Sequence, residues 1–273
     1  CPGPGGEPLR FVSALYDRAD DRAAQSSHVR GTNTDVDPRS RLLAPLPTMI
    51  DHRPLESLGV TDLEWLRARH HFCFAGYQRA DRMGWGRLRV INHHELAAGA
   101  ATKPSSHNAT ELLVFAESEI AIVRHGARRI RVGAGDVVSI FTGTGIELGI
   151  ANPGQGPARF TTVWLNCEPD ETPFLVRRPM AFRDTAAFIA SGFGGDRADL
   201  RLKVPARVRR ATMARGAQQE YALASRKAYL LVLDGELNIS GHVAGRHDGV
   251  AIDDEPRVTL TAALDATALV MEV

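Results

Sequence analysis

From residue 85 onward the chain alternates short apolar runs with turn residues, and that rhythm limits the folds open to it. Leu88–Ile91, Glu111–Phe115, Ile120–Val123, Arg129–Val132, Val137–Phe141 and Phe160–Leu165 are each rich in aliphatic, β-branched or aromatic residues. Between them stand Gly133-Ala-Gly135-Asp136, Gly143-Thr-Gly145 and Asn152-Pro-Gly154. Many short strands separated by such turns predict a sandwich or barrel. A second series follows at Leu200–Val204, Val208–Ala214, Lys227–Leu233, Glu236–Ser240, Val250–Ile252, Val258–Thr261 and Ala268–Val273. Asp234-Gly235 reads as a tight hairpin turn. The pattern predicts two all-β units of about 100 residues each, in tandem.

The flanking segments differ. Residues 1–48 are rich in Pro, Gly, Asp, Arg and Ser and read as a flexible leader, without the basic-then-apolar pattern of a secretory signal. Met49 opens the part that reads as folded. Pro169, Pro173 and Pro179 lie among charges and mark a linker, and Thr185–Gly192 reads as a short helical turn. The expected organisation is a disordered leader over 1–48, an N-terminal barrel over 49–168, a linker over 169–185 and a C-terminal barrel over 186–273.

Composition removes several function classes. A net charge of +1 over 273 residues gives no bias toward nucleic acid or an anionic membrane. No apolar run approaches the roughly 20 residues of a membrane-spanning helix. Cys1, Cys73 and Cys167 are odd in number and lack CxxC spacing, so neither a disulfide framework nor a zinc knuckle is expected, and the cytoplasm is the expected compartment. Cys73 and Cys167 read as small buried hydrophobes. The basic residues are 30 Arg and 3 Lys, which reads as base-composition bias. No GxSxG elbow, P-loop or dinucleotide fingerprint is present.

Specific motifs add a resemblance. Trp65-Leu-Arg-Ala-Arg-His-His-Phe-Cys-Phe-Ala-Gly-Tyr77 followed by Met83-Gly-Trp-Gly-Arg-Leu-Arg-Val-Ile-Asn92 resembles the opening of pirin-like bicupins, a group that includes quercetin 2,3-dioxygenases. Gly133-Ala-Gly-Asp-Val137 with Thr142-Gly-Thr-Gly-Ile146, and Asp248-Gly-Val-Ala-Ile252 with Asp254-Glu-Pro256 and Leu260-Thr-Ala262, resemble later parts of the same family. The resemblance covers Met49 to Val273. It implies two tandem jelly-roll β-barrels with the site inside the N-terminal one. It also implies an iron-like divalent metal, held by His-x-His and His-x-Glu, that activates a flavonol and dioxygen.

Here those motif positions are occupied by Ser105 and His107, then by Leu148 and Ile150. Leucine and isoleucine carry no donor atom, and a neutral serine hydroxyl is a poor ligand beside imidazole or carboxylate. No cofactor is therefore expected. Were a metal held, it would be Fe, Ni or Mn on His107, Glu111 and His94. On a continuous strand His107 and Glu111 share a face, because their spacing is even, so the two are expected as a catalytic acid–base pair. Ser105, His94, Phe74, Leu148, Ile150 and Glu147 are the expected substrate contacts, with Glu147 at the pocket mouth or on a solvated edge. His93 and His94 are read on a loop; in a strand only one of them could enter the pocket. His70 and His71, with Phe72, Phe74, Tyr77 and Trp85, read as core packing or as an aromatic wall. His125, His242 and His247 fall in or near turns, and the C-terminal barrel is expected to carry no metal. The expected partner is a small, largely apolar or aromatic molecule, with neither nucleic acid nor membrane. Three functions stay open: a metal-independent enzyme of isomerisation, cyclisation or elimination; a metal-dependent quercetin 2,3-dioxygenase-like oxygenase; and a non-enzymatic binding or regulatory protein.

Overall fold

The computed structural model describes residues 49–124, 128–169, 171–179 and 188–273. The leader expected over 1–48, and His125, lie outside the described residues. The first strands are β1 (Met49–Arg53), β2 (Gly59–Leu63), β3 (Leu66–His70), β4 (Leu88–Leu96), β5 (Ser105–His107) and β6 (Thr110–Ala116). They are followed by β7 (Ile120–Arg124), β8 (Arg128–Val132), β9 (Asp136–Phe141), β10 (Ile146–Ala151), β11 (Ala158–Asn166) and β12 (Phe174–Pro179). The C-terminal series is β13 (Phe188–Ser191), β14 (Ala198–Arg201), β15 (Arg207–Met213), β16 (Gln218–Ala222) and β17 (Lys227–Asp234). It ends with β18 (Glu236–Ile239), β19 (His242–Gly245), β20 (Gly249–Asp253), β21 (Arg257–Ala262) and β22 (Ala266–Glu272).

These strands form two double-sheet barrels, the predicted all-β jelly-roll bicupin. In the N-terminal barrel a seven-stranded sheet, β12-β9-β6-β11-β4-β3-β2, faces a four-stranded sheet, β5-β10-β7-β8. The C-terminal barrel repeats the arrangement with β1-β20-β17-β22-β15-β13-β14 and β16-β21-β18-β19.

Alternation along the strands sorts side chains between three cores. On β6, Leu112, Val114 and Ala116 fill the N-terminal barrel with Leu96, Ile122, Ile140, Leu148 and Phe160. Leu113 and Phe115, one residue out of phase, join Phe72, Leu88, Val163 and Leu165 against Val208, Tyr229, Leu231, Leu269 and Met271 of the other barrel. The remaining core, with Leu230, Val250, Leu260 and Val270, fills the C-terminal barrel. Fully burying a side chain such as Phe72 or Leu88 stabilises by about 1.5–3 kcal/mol, so the junction between barrels is a core in its own right.

Several local expectations differ from the structure. β1 does not belong with the N-terminal barrel; it pairs with β20, from Met49 opposite Asp253 to Arg53 opposite Gly249, and so forms an edge of the C-terminal sheet. The expected linker contains β12, which pairs with β9 from Phe174 opposite Phe141 to Pro179 opposite Asp136. Pro179 is tolerated because it ends an edge strand. The expected helical turn is strand β13 over Phe188–Ser191. Asp234-Gly235 is a corner that carries the chain from the seven-stranded to the four-stranded sheet, not a hairpin within one sheet. Gly235 has φ of 77°, and a Cβ there would collide with the Asp265 carbonyl oxygen.

Candidate functional site

The interior face of the N-terminal barrel gathers most of the expected site. β5 pairs with β10, His107 opposite Ile146 and Ser105 opposite Leu148, so Ser105 and His107 share the face of those apolar side chains. The Ser105 hydroxyl lies 3.0 Å from His107 Nε2. The His107 ring meets Trp164 edge-on, with centroids 5.1 Å apart. Trp164 in turn meets Phe74 edge-on at 5.7 Å, and Phe74 stacks on His70 at 5.1 Å. Ser105, His107, Phe74, Trp164 and Ile150 are all partly accessible, whereas Leu148 is buried. Burial pushes the His107 imidazole down to about 4, so at neutral pH it is uncharged and able to accept a proton.

Further polar residues lie on the same barrel interior. His93 and His94 are on β4, not on a loop, and their side chains take opposite faces. His94 enters the barrel, stacks on Phe160 at 4.7 Å and reaches Thr162 Oγ1 through Nε2 at 3.1 Å. Burial takes its pKa down to about 3. Beside it His70 Nδ1 meets Asn92 Oδ1 at 2.8 Å and His70 Nε2 meets Thr61 Oγ1 at 2.8 Å. His70 is also lowered, chiefly by burial.

Glu111 is not part of this site, which corrects the expected acid–base pair. Asn108 and Ala109 interrupt the chain between β5 and β6, and Ala109 takes φ of 49°. The two strands belong to different sheets, so even spacing no longer places His107 and Glu111 on one face. Glu111 is out of phase with the interior residues Leu112 and Val114 and points to the junction between barrels. There it accepts hydrogen bonds from Ser139 Oγ (3.0 Å), Lys203 N (2.9 Å) and Val204 N (3.2 Å). Burial raises its pKa, against the lowering effect of those donors. Glu147 is exposed, out of phase with Leu148, so of the two places expected for it the solvated edge is the one observed.

His71, His93 and His247 meet at the junction. His71 Nδ1 lies 2.8 Å from the Tyr229 hydroxyl, His71 Nε2 3.1 Å from His93 Nε2, and His93 Nδ1 2.9 Å from Thr161 Oγ1. His247, at φ 68° in the turn before β20, stacks on His93 at 3.9 Å. Burial holds His71 and His93 well below the ordinary imidazole pKa. Two facing neutral rings share one proton, so this row links the barrels as a directed hydrogen-bond chain. Trp85 also serves the junction, donating from Nε1 to the Ile252 carbonyl. His242 begins β19 opposite Ile239. Cys73 is half-buried rather than a core hydrophobe, its sulfur 3.1 Å from both the nitrogen and the carbonyl oxygen of Arg79. Asn92, Phe160, Thr162 and Trp164 complete the site without having been singled out in the sequence; alternation along Phe160-Thr-Thr-Val-Trp-Leu165 was the signal that could have found the last three.

The donor set does not fit a divalent metal at the family's position. Leu148 and Ile150 face the interior without a donor atom, and the Ser105 hydroxyl is engaged with His107. One imidazole remains where catalytic metals use about three protein ligands. Among the described residues no group of three or more His, Cys, Asp or Glu is placed to hold a metal ion.

Comparison with known proteins places this fold. Residues 188–273 match the quercetinase C-terminal cupin domain. The chain is 36% identical over 238 residues, 82% of its length and 100% of the relative's, to a Pseudomonas aeruginosa protein whose name assigns it provisionally to the quercetin 2,3-dioxygenases. It is 32% identical over 232 residues, again 82% of its length, to a pirin-like protein of Caulobacter vibrioides, covering 99% of that protein. The crystal structure of the Escherichia coli bacterial pirin YhhW in complex with nickel(II) superposes with a TM-score of 0.77 at 26% identity, covering 82% of this chain and 99% of that one. A barrel pair of this topology, with matches of this extent, makes the chain a member of the pirin-like bicupin family.

Proposed function

We propose that the N-terminal barrel binds a compact, largely apolar aromatic molecule and moves a proton on it with His107, without a metal. The observation that carries this is the replacement of donor positions by Leu148 and Ile150 on the same interior face as His107. Apolar bulk dries the pocket, and Trp164, Phe74 and Phe160 supply flat walls for a ring system. The neutral His107 imidazole is the group able to take a proton, by way of the Ser105 hydroxyl that lies against its Nε2. Its lowered pKa keeps the ring unprotonated at neutral pH but makes it a weak base, so the proton it takes is one the ligand holds loosely, such as that of a phenol, and the protonated ring returns it readily in an isomerisation, cyclisation or elimination. Glu111 has no part in this chemistry; it braces the barrel from outside.

A second reading rests on the relatives. The Pseudomonas aeruginosa name and the nickel complex of the Escherichia coli pirin favour a metal-dependent, quercetin 2,3-dioxygenase-like oxygenase. The two readings separate in one experiment. Chelator-treated protein is incubated anaerobically with quercetin and with 2′-hydroxychalcone, which closes to flavanone when its phenol oxygen adds to the enone β-carbon and the phenol proton passes to the α-carbon, with no oxidant or metal needed. The metal-independent reading expects chalcone closure that falls about 100-fold in His107→Phe, the scale of lost acid–base catalysis. Quercetin consumption that needs added metal and oxygen, with no metal-free turnover of the chalcone, overturns it in favour of the oxygenase.

A further inference from the structure

We propose that Asn92 Nδ2 and Trp164 Nε1 are the polar contacts that select the ligand, and that they recognise a planar aromatic compound bearing an acceptor-only oxygen, a ring ketone or phenolate. This rests on the barrel being the binding site. Both nitrogens are buried, and neither has a hydrogen-bond partner among the described residues. Asn92 is itself 1% exposed, so its amide has no water-facing alternative. A buried donor without an acceptor is costly and rare in folded proteins.

Register brings the two donors to one place. Asn92 lies opposite Thr162 in the β4–β11 pair, and Trp164 is the next residue on the same face of β11. Such diagonal neighbours sit about 7–8 Å apart, within the span of one fused-ring molecule. The neighbouring acceptors are taken: Asn92 Oδ1 by His70, Thr162 Oγ1 by His94, and His107 Nε2 by Ser105. The His70 contact also aims the amide, because Oδ1 is turned to Nδ1 of that ring and Nδ2 is left facing away from it.

The chemistry of the ligand follows from what the face lacks. Glu111 and Glu147 lie off the interior face, so no carboxylate on β6 or β10 awaits a cation. His94 and His107 are held neutral by burial and so do not demand a dianion. Two N–H donors on a face where Phe74 meets Trp164 and Phe160 stacks on His94 match a flat molecule with an oxygen on its edge. A site built around such donors disfavours the analogue that lacks the oxygen, because binding that analogue leaves the donors buried and unpaired.

The test compares 9-fluorenone with fluorene, the same planar tricycle with and without the ketone, by calorimetry and by the indole N–H resonance of Trp164. The wild-type protein is expected to bind fluorenone about tenfold more tightly than fluorene, the scale of one hydrogen bond to a buried donor. Fluorenone should shift the Trp164 N–H resonance, and fluorene should not. Trp164→Phe, which removes the donor and keeps an aromatic ring in the wall, should bring the ratio of fluorenone to fluorene affinity down severalfold, whatever the change common to both compounds. Asn92→Leu should do the same. Equal binding of both compounds by the wild type, or an unchanged preference in both variants, overturns the proposal and leaves the barrel as a binding site. Binding of neither compound overturns both this proposal and the barrel as the binding site.

Discussion

Glu111→Ala is the perturbation whose consequence is most fully determined. The wild-type carboxylate accepts from the Ser139 hydroxyl and from the backbone nitrogens of Lys203 and Val204, and its residue is 0% exposed. Alanine removes all of these acceptors at once and leaves backbone donors buried without partners. Each such orphan costs about 1–3 kcal/mol, and together they predict a loss of about 3–5 kcal/mol. Glu111→Gln keeps one acceptor oxygen for the backbone pair and should lose less than half as much. Urea unfolding at pH 7, followed by far-UV circular dichroism, measures both variants. The pH dependence has a definite sign. Burial raises the Glu111 carboxyl, so the protonation-linked part of its contribution is fully present below the ordinary carboxylate pKa and is lost as pH rises through the folded value, while its hydrogen bonds to Ser139, Lys203 and Val204 remain. The gap between wild type and Glu111→Gln should therefore narrow as pH rises through that window. An Ala variant within about 0.5 kcal/mol of wild type, the range of ordinary surface substitutions, would refute the bracing role. So would a variant of wild-type stability that had lost its turnover, the signature of a catalytic partner to His107.

Acid should weaken the fold. His70, His71, His93, His94, His107 and His247 are all held below 6.5 by burial, so the unfolded chain binds more protons as pH falls from 6.5 toward 4. The urea midpoint should be flat above pH 6.5 and drop steadily below it; a midpoint unchanged between pH 6.5 and 5 would contradict buried neutral imidazoles. Gly249→Ala should lower stability by about 1–3 kcal/mol in thermal unfolding, because a Cβ there collides with the Tyr229 hydroxyl and reaches His71 Nδ1. A wild-type melting temperature would mean that the hydrogen-bond row at the junction can shift freely.

The barrels were legible because strand length, turn residues and apolar alternation agree along most of the chain. Leu88–Ile91 and Phe160–Leu165 fall within β4 and β11, which lie side by side. What failed was local geometry. The pairing of His107 with Glu111 assumed an unbroken strand, and nothing in Asn108-Ala109 signals a left-handed alanine that sends β5 and β6 to separate sheets. His93 and His94 read as loop residues, yet the interior and the junction each supply hydrogen-bond partners that allow such residues in a buried strand. The assignment of β1 to the other barrel depends on long-range pairing with β20, for which five residues carry no local signal. The proline-rich stretch before β13 concealed β12 for a related reason, since an edge strand accepts proline where a central one does not.

The central claim is that a family metal position has become an apolar, proton-transfer site around His107. Its most direct measurement is metal content by elemental analysis, on wild-type protein and His107→Ala, after equilibration with Ni(II), Fe(II) or Mn(II) and gel filtration. The account predicts no stoichiometric metal whose retention depends on His107. One equivalent per chain in the wild type, lost in His107→Ala, would contradict it.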